Sequence, residues 1–236
     1  MLLAAGLGTR MRPLTDATAK PLLPLGGRPL LDHALDRLAA AGVERVVVNA
    51  HWQSELVAEH LARRGDVPPA TVLHHEDALR DTGGSVRDAL PQLGPGPFFV
   101  VNGDAFWLDG PTPALTRLTQ AWDPGLDCLL LVHRSFQVQA DIGGGDFAVD
   151  AWGEVRRPAE HEIVPYVYAG IQLATQNLFE RAPASPFSVN LLWDRAIEAA
   201  RLRAIVHDGL WFHLSTPPDL AQAESRLQER ATGEAR

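Results

Sequence analysis

A single cysteine, Cys128, leaves this chain of 236 residues without an internal disulfide framework. It sits in the apolar run Cys128-Leu129-Leu130-Leu131-Val132, where a thiol reads as a small buried hydrophobe and not as a nucleophile. A surplus of positive charge is also missing. Lys and Arg number 21 against 29 Asp and Glu, a formal net charge of -8. That balance argues against nucleic acid as a partner, although a local basic pocket survives in an acidic protein. Long apolar runs are absent too: none approaches the roughly 20 residues that cross a bilayer, so no membrane partner is expected. The N-terminus lacks the layout of a signal peptide, because Gly6 and Gly8 interrupt its apolar run almost at once. Cytoplasm is the expected location, and the composition leaves monomer or homodimer open.

What is present is the pattern of one large α/β domain. Pro29 to Ala40 carries Leu31, Leu35 and Leu38 on one helical face, and Gly42 stops it. Val43 to Asn49 is a β-branched run suited to a strand covered on both faces. Trp52 to Arg64 is a second amphipathic helix ended by Gly65, and Thr71 to His75 a further strand. This alternation predicts right-handed crossovers and a mainly parallel sheet. A helix over Val86 to Leu90, a strand from Phe98, a helix over Leu115 to Trp122 and a strand over Leu126 to His133 continue it. Asn49 stands at the C-terminal end of its strand, where open α/β sheets bind ligands, and is a candidate for substrate contact.

Two nucleotide fingerprints fail at the N-terminus. After the apolar Leu2 to Ala5, Gly6 and Gly8 are spaced by one residue, but Met11 stands where the dinucleotide motif needs its third glycine. No Gly-Lys-Ser/Thr closes a Walker A loop. The glycines nevertheless free several backbone N–H groups, and Arg10, Arg12 and Lys20 supply fixed positive charge beside them. That combination suits a triphosphate. A second block, Pro97 to Asp104, is an apolar strand that releases a carboxylate at its tip, with Gly103 clearing room for it.

The run Leu3 to Thr15, followed by Lys20-Pro21-Leu22-Leu23-Pro24 and by Asn102-Gly103-Asp104, resembles the signature of the sugar-1-phosphate nucleotidylyltransferases. Within that family the chain is most similar to the bacterial N-acetylmuramate-1-phosphate uridylyltransferases. The resemblance implies a three-layer, Rossmann-like nucleotidyltransferase fold with a mostly parallel mixed sheet and a sugar-binding insertion. It implies one domain over 1–236, with 1–133 mainly for the nucleotide and 134–220 mainly for the sugar and the second metal segment. Ala4, Ala5, Gly6, Gly8, Thr9 and Arg10 would hold the triphosphate, and Lys20 phosphate oxygens near the α position. Asp104, beside Asn102, would bind Mg²⁺. Gly83 and Gly84, in the loop Asp81 to Ser85, would lie against base and ribose, with Glu76 a candidate for reading the base.

On the sugar side the resemblance implies Glu154 for hydroxyls, Arg157 for the sugar phosphate in place of the usual lysine, Gly170 on the pocket wall, and Asn190 facing substrate. The triple glycine in Asp141 to Asp150, Gly144 at its centre, is a hinge, a tight hairpin or a close-approach surface. The chain departs from the family most at His213, which stands where the second metal-binding aspartate is expected. Histidine is a poorer magnesium ligand than carboxylate. It would bind directly or through water, unless Asp208 supplies the charge. The implied reaction joins a nucleoside triphosphate, UTP above others, to a sugar-1-phosphate, expelling pyrophosphate in peptidoglycan recycling. Mannose- or glucose-1-phosphate with GTP, UTP or dTTP is the rival pairing, and a weakly active nucleotide-sugar-binding regulator the rival of another class.

Overall fold

A computed structural model describes residues 1–64, 70–138, 140, 142–184 and 186–233. Gly65 and Asp141 lie outside the described residues. The chain runs β1 (Leu2–Leu3), the hairpin β2 (Pro24–Leu25) and β3 (Arg28–Pro29), α1 (Leu30–Ala40), β4 (Arg45–Ala50), α2 (Ser54–Arg64) and β5 (Ala70–His75). Next come α3 (Asp81–Leu93), β6 (Phe98–Asn102), β7 (Phe106–Leu108), α4 (Ala114–Gln120) and β8 (Cys128–Arg134). The short pair β9 (Ala148–Val149) and β10 (Val155–Arg156) precedes β11 (Tyr166–Ala174). The chain then closes with α5 (Asn190–Glu198), β12 (Leu202–Val206), β13 (Leu210–Phe212) and α6 (Pro217–Gly233).

Seven strands form the main sheet in the order β12-β8-β11-β6-β1-β4-β5. Only β11 runs against its neighbours, pairing antiparallel with both β6 and β8. The strand of the second half is therefore stitched between two of the first, and the two halves share one sheet. Alternation along β8 sets the layers. Leu129 and Leu131 enter the core under α1 and α4, while Cys128, Leu130 and Val132 enter the core under α3 and α5. A third cluster joins Met11, Leu25 and Phe106 to Phe212, Leu214 and Leu220, and so seats α6 against the N-terminal loop. Among the described residues no helix is long and apolar enough to cross a membrane.

The shortest strand of the main sheet lies inside it, not at an edge. β1 has two residues, yet it pairs in parallel with β4 on one side and β6 on the other. From β1 the chain moves outward through β4 to β5, then returns to β6 on the opposite side. That reversal opens a crevice at the strands' C-terminal ends. Helix α3 corrects the loop expected at Asp81 to Ser85, since it starts at Asp81 and includes both glycines in its first turn.

Candidate active site

The chain leaves β1 through Ala4, whose N–H donates to Asn49 Oδ1 at 2.8 Å. Gly8 takes φ +61°, and its carbonyl accepts the Met11 N–H at 2.9 Å and the Thr15 hydroxyl at 2.8 Å. Met11, in place of the third glycine, is fully buried and anchors the loop from below. Gly6 differs from Gly8: a Cβ built there meets nothing of the protein within 4 Å. Gly6 is exposed, and the open space beside it belongs to the cleft.

At the tip of β6 the chain passes directly over β1. The Gly103 N–H donates to the Leu3 carbonyl at 2.7 Å, and a Cβ on Gly103 would stand 2.6 Å from that same oxygen. No other residue fits there. This contact fixes Asp104, whose Oδ2 accepts from Lys20 Nζ at 2.5 Å. Lys20 is well enclosed and Asp104 half-exposed, so the carboxylate keeps an accessible side.

Three adjoining lobes of about 250, 230 and 270 Å³ surround this pair. Asn102 lines all three, and Asp104 lies at the seam of the first and third. The first lobe is bounded by Ala4, Ala5, Gly6, Gly8 and Lys20 on one side and by Asn49 and Glu76 on the other. Arg10, Gly170 and His213 meet Asp104 in the third, and Asn190 lines the second. Gly170 takes φ +79° at a bulge in β11, with Ala105 and Asn102 too close for a Cβ to fit freely. Burial lowers the His213 pKa below its ordinary 6.5, and Lys20 and Arg10 push the same way against Asp219 and Asp104. At neutral pH His213 is an uncharged imidazole facing a carboxylate. Among the described residues no group of three His, Cys, Asp or Glu side chains converges to hold a metal ion.

Other expected residues fall elsewhere. Asn49 lines the first lobe beside the glycine loop, and both ends of its amide are taken, by the Ala4 N–H and by Glu76 Oε1 at 2.8 Å. Gly83 and Gly84 both donate to the Phe187 carbonyl, at 3.0 and 3.1 Å, and the Phe187 ring occupies the place a Gly83 side chain would need. Their amides are spent on the chain's own packing, and Asp81, Thr82 and Ser85 line the cleft instead. Glu154 bridges to Arg203 of β12 at the outer edge of the sheet and lines none of the three lobes. Gly144 sits in an exposed turn tied to Val164, while its neighbours Ile142 and Asp146 reach the third lobe. Arg157 stands behind Asn190, bonded to its Oδ1 at 2.8 Å and to Asp194 at 2.7 Å. Thr9 lies in an exposed 3-10 turn outside the lobes. Asp208 pairs with Arg117 at 3.0 Å in a separate groove, so it does not serve Asp104.

Asp146 escapes sequence reasoning. It lines both the second and third lobes, and its Oδ2 accepts the Tyr168 N–H at 2.8 Å. The only local signal is an acid directly after a glycine run.

Comparison with known proteins agrees with this geometry. The MobA-like NTP transferase domain is matched over residues 1–211. The chain is 39% identical over 233 residues to an N-acetylmuramate alpha-1-phosphate uridylyltransferase of Caulobacter vibrioides, covering 97% of this chain and 96% of that protein. A protein of the same name from Neisseria meningitidis serogroup B is 42% identical over 106 residues, covering 44% of this chain and 46% of that one. Among solved structures, UDP-glucose pyrophosphorylase in complex with UDP-glucose superposes with a TM-score of 0.79 at 15% identity, over 97% of each chain, a likeness of fold alone. The chain belongs to the sugar-1-phosphate nucleotidylyltransferases, with the MobA-like NTP transferase domain as its scaffold.

Proposed function

We propose that the chain transfers the uridylyl group of UTP to N-acetylmuramate-1-phosphate, releasing pyrophosphate, and that it serves the recycling of peptidoglycan. Nucleotidyl transfer from a nucleoside triphosphate to a sugar-1-phosphate is the family's reaction. The Lys20–Asp104 pair at the seam of the lobes is the observation that carries it here. The choice of uridylyl and muramate is supported by 39% identity to the Caulobacter protein along nearly the whole of both chains.

A phosphate oxygen of the sugar-1-phosphate attacks the α-phosphorus of UTP. The new bond is oxygen to α-phosphorus, and the bond to the bridging oxygen of pyrophosphate breaks. A phosphate monoester dianion needs no general base, so the protein's work is to align two anions and offset their charge. The glycine loop would offer backbone N–H groups to the triphosphate, with Arg10 beside it. Lys20 would reach the α-phosphate oxygens from its enclosed position. Glu76 lines the first lobe and would accept from a ring N–H, which uracil, thymine and guanine present and cytosine and adenine lack.

Mg²⁺ is the proposed cofactor, and the donor set fits it sparsely. One carboxylate, Asp104, suffices when substrate phosphates and water complete the octahedron. His213 would supply a second donor, a nitrogen that magnesium disfavours. When bound, the ion offsets negative charge on the phosphate oxygens of both substrates.

The experiment is pyrophosphate release with Mg²⁺ over a grid of four nucleoside triphosphates and several sugar-1-phosphates, N-acetylmuramate-1-phosphate among them. A dominant signal with UTP and the muramate is expected. A dominant signal with mannose- or glucose-1-phosphate would overturn the sugar, and silence across the grid with intact nucleotide binding would favour a regulator.

A further inference from the structure

A glutamine buried among apolar side chains calls for an explanation. Gln172 lies in the middle of β11, level with Val100 of β6 and Leu130 of β8, and is 1% exposed. Its Oε1 accepts the Trp193 indole N–H at 2.7 Å and the Cys128 thiol at 3.1 Å. An indole nitrogen can only donate, so the amide cannot be turned the other way. The NH₂ end is thereby fixed, and it has no hydrogen-bond partner among the described residues. It is also not one of the enclosed unpartnered atoms, which are Glu76 Oε2, His133 Nδ1, Thr175 Oγ1 and His207 Nδ1. Gln172 lines the second lobe, and its NH₂ opens there.

That lobe has a distinctive chemistry. Val86, Val100 and Val189 give it apolar walls, and Asp81 and Asp146 its only formal charges among the described residues. Among the described residues no Lys or Arg lines it, so it suits a neutral part of a ligand whose charged groups lie outside it. Trp193 is held in place by edge contacts with Tyr168 at 4.7 Å and Phe147 at 5.9 Å, which keeps the Gln172 amide rigid. One oriented donor among valines, with a carboxylate close by, suits a neutral acylamino group: carbonyl to Gln172, methyl to the valines, N–H to Asp146.

We propose that Gln172 determines specificity by hydrogen-bonding the acyl oxygen of an N-acylamino sugar-1-phosphate whose acylamino group enters the second lobe. The proposal rests on the N-acylated substrate argued above, and it names the residue that would recognise it.

The test measures kcat and KM with UTP for N-acetylmuramate-1-phosphate and for its N-deacylated counterpart, in the wild type, Gln172→Glu and Gln172→Met. Gln172→Glu keeps an oxygen for Trp193 and Cys128 but removes the NH₂. The wild type is expected to favour the acylated sugar by about tenfold or more. Both variants should lower that preference about tenfold, through the KM for the acylated sugar, with the KM for UTP held within about twofold. A preserved preference in a variant with normal UTP kinetics overturns the proposal. A variant that loses both sugars and UTP together indicates a structural role only, and overturns it as well. If neither variant folds, the N-thioacetyl substrate puts the question to the wild type: a loss of about tenfold is expected, and parity overturns the assignment. A wild type that turns over only sugars without an acylamino group refutes the substrate reading itself, a result distinct from failure of Gln172 alone.

Discussion

Asn49 Nδ2 donates to Glu76 Oε1 at 2.8 Å while Asn49 Oδ1 accepts the Ala4 N–H at the same distance. One amide thus ties together the ends of three parallel strands, β1, β4 and the exit of β5. All three partners are buried, and the second Glu76 oxygen is enclosed without a partner among the described residues. Asn49→Ala would strand the Ala4 N–H and the near side of Glu76 at once. The expected cost is about 2–4 kcal/mol, read from urea unfolding, with a raised KM for the nucleotide because the glycine loop loses its anchor. Asn49→Asp should cost more still, since it sets a second carboxylate against Glu76.

Gly6 and Gly8 separate ligand space from backbone need. Gly8 has φ +61° and crowds Thr15 and Lys20, so Gly8→Ala should lose about 1–2 kcal/mol of stability. Gly6 has open space beside it, so Gly6→Ala should unfold at the wild-type urea concentration. Its KM for the nucleoside triphosphate should nevertheless rise about tenfold or more, because the added methyl occupies the approach to the backbone. Equal stability and equal KM in Gly6→Ala would show that the triphosphate binds elsewhere.

Asp104→Asn removes the charge at the seam of the first and third lobes yet leaves the Gly103–Leu3 contact that shapes the strand tip. Stability should change little, because Asp104 is half-exposed. The chemical step should fall by about 10²–10³ or more, the scale seen when one group that offsets transition-state charge is lost. Nucleotide affinity, measured by calorimetry without the sugar, should move much less than kcat.

Which of these features were legible in the sequence follows from how local their causes are. The Gly6–Gly8 turn and the Asp104 tip depend on a short strand and the next few residues, and the string shows both. The glycine pair at 83 and 84 does not read as helix because a local rule penalises glycine there, whereas a distant residue, Phe187, presses so close to position 83 that only glycine fits. Glu154 and Gly144 line none of the three lobes, for a related reason. Their neighbourhood reads as a polar hairpin, and nothing within it says whether that hairpin folds over the cleft or, as found, lets Glu154 bridge to β12. Gln172 shows the converse. Its amide is oriented by Trp193 and Cys128, which packing and not local sequence brings to it.

The histidines set the acid limit of stability. Burial pushes the His133 pKa down to about 4, with His207 and Arg134 adding to the fall, and burial lowers His207 too. The unfolded chain takes up these protons near pH 6.5, the folded His133 only near pH 4. Between those values the unfolded state holds the extra proton, so stability is complete above about pH 6.5 and declines on acidification. The decline should approach about 1.4 kcal/mol per pH unit for each such proton. His133→Phe, which keeps a ring against Trp211 and cannot titrate, should flatten the urea midpoint between pH 6.5 and pH 4. An unchanged profile would place the acid sensitivity in other groups.

His213 offers the most direct probe of the metal. It shares the third lobe with Asp104, and its imidazole is held neutral chiefly by burial. A neutral nitrogen donor favours Mn²⁺ or Co²⁺ over Mg²⁺ more than a carboxylate would. The wild type should therefore need more Mg²⁺ for half-maximal activity than Mn²⁺. His213→Asp restores a hard oxygen donor and adds negative charge, so it should lower the half-saturating Mg²⁺ concentration by about tenfold and narrow the advantage of Mn²⁺. His213→Ala should leave Asp104 as the only protein ligand, with activity reduced and the metal preference shifted toward neither ion. If His213→Asp instead leaves the Mg²⁺ titration unchanged, His213 does not act at the metal, and its contact with Trp211, at 5.8 Å between ring centres, becomes the reason for its place.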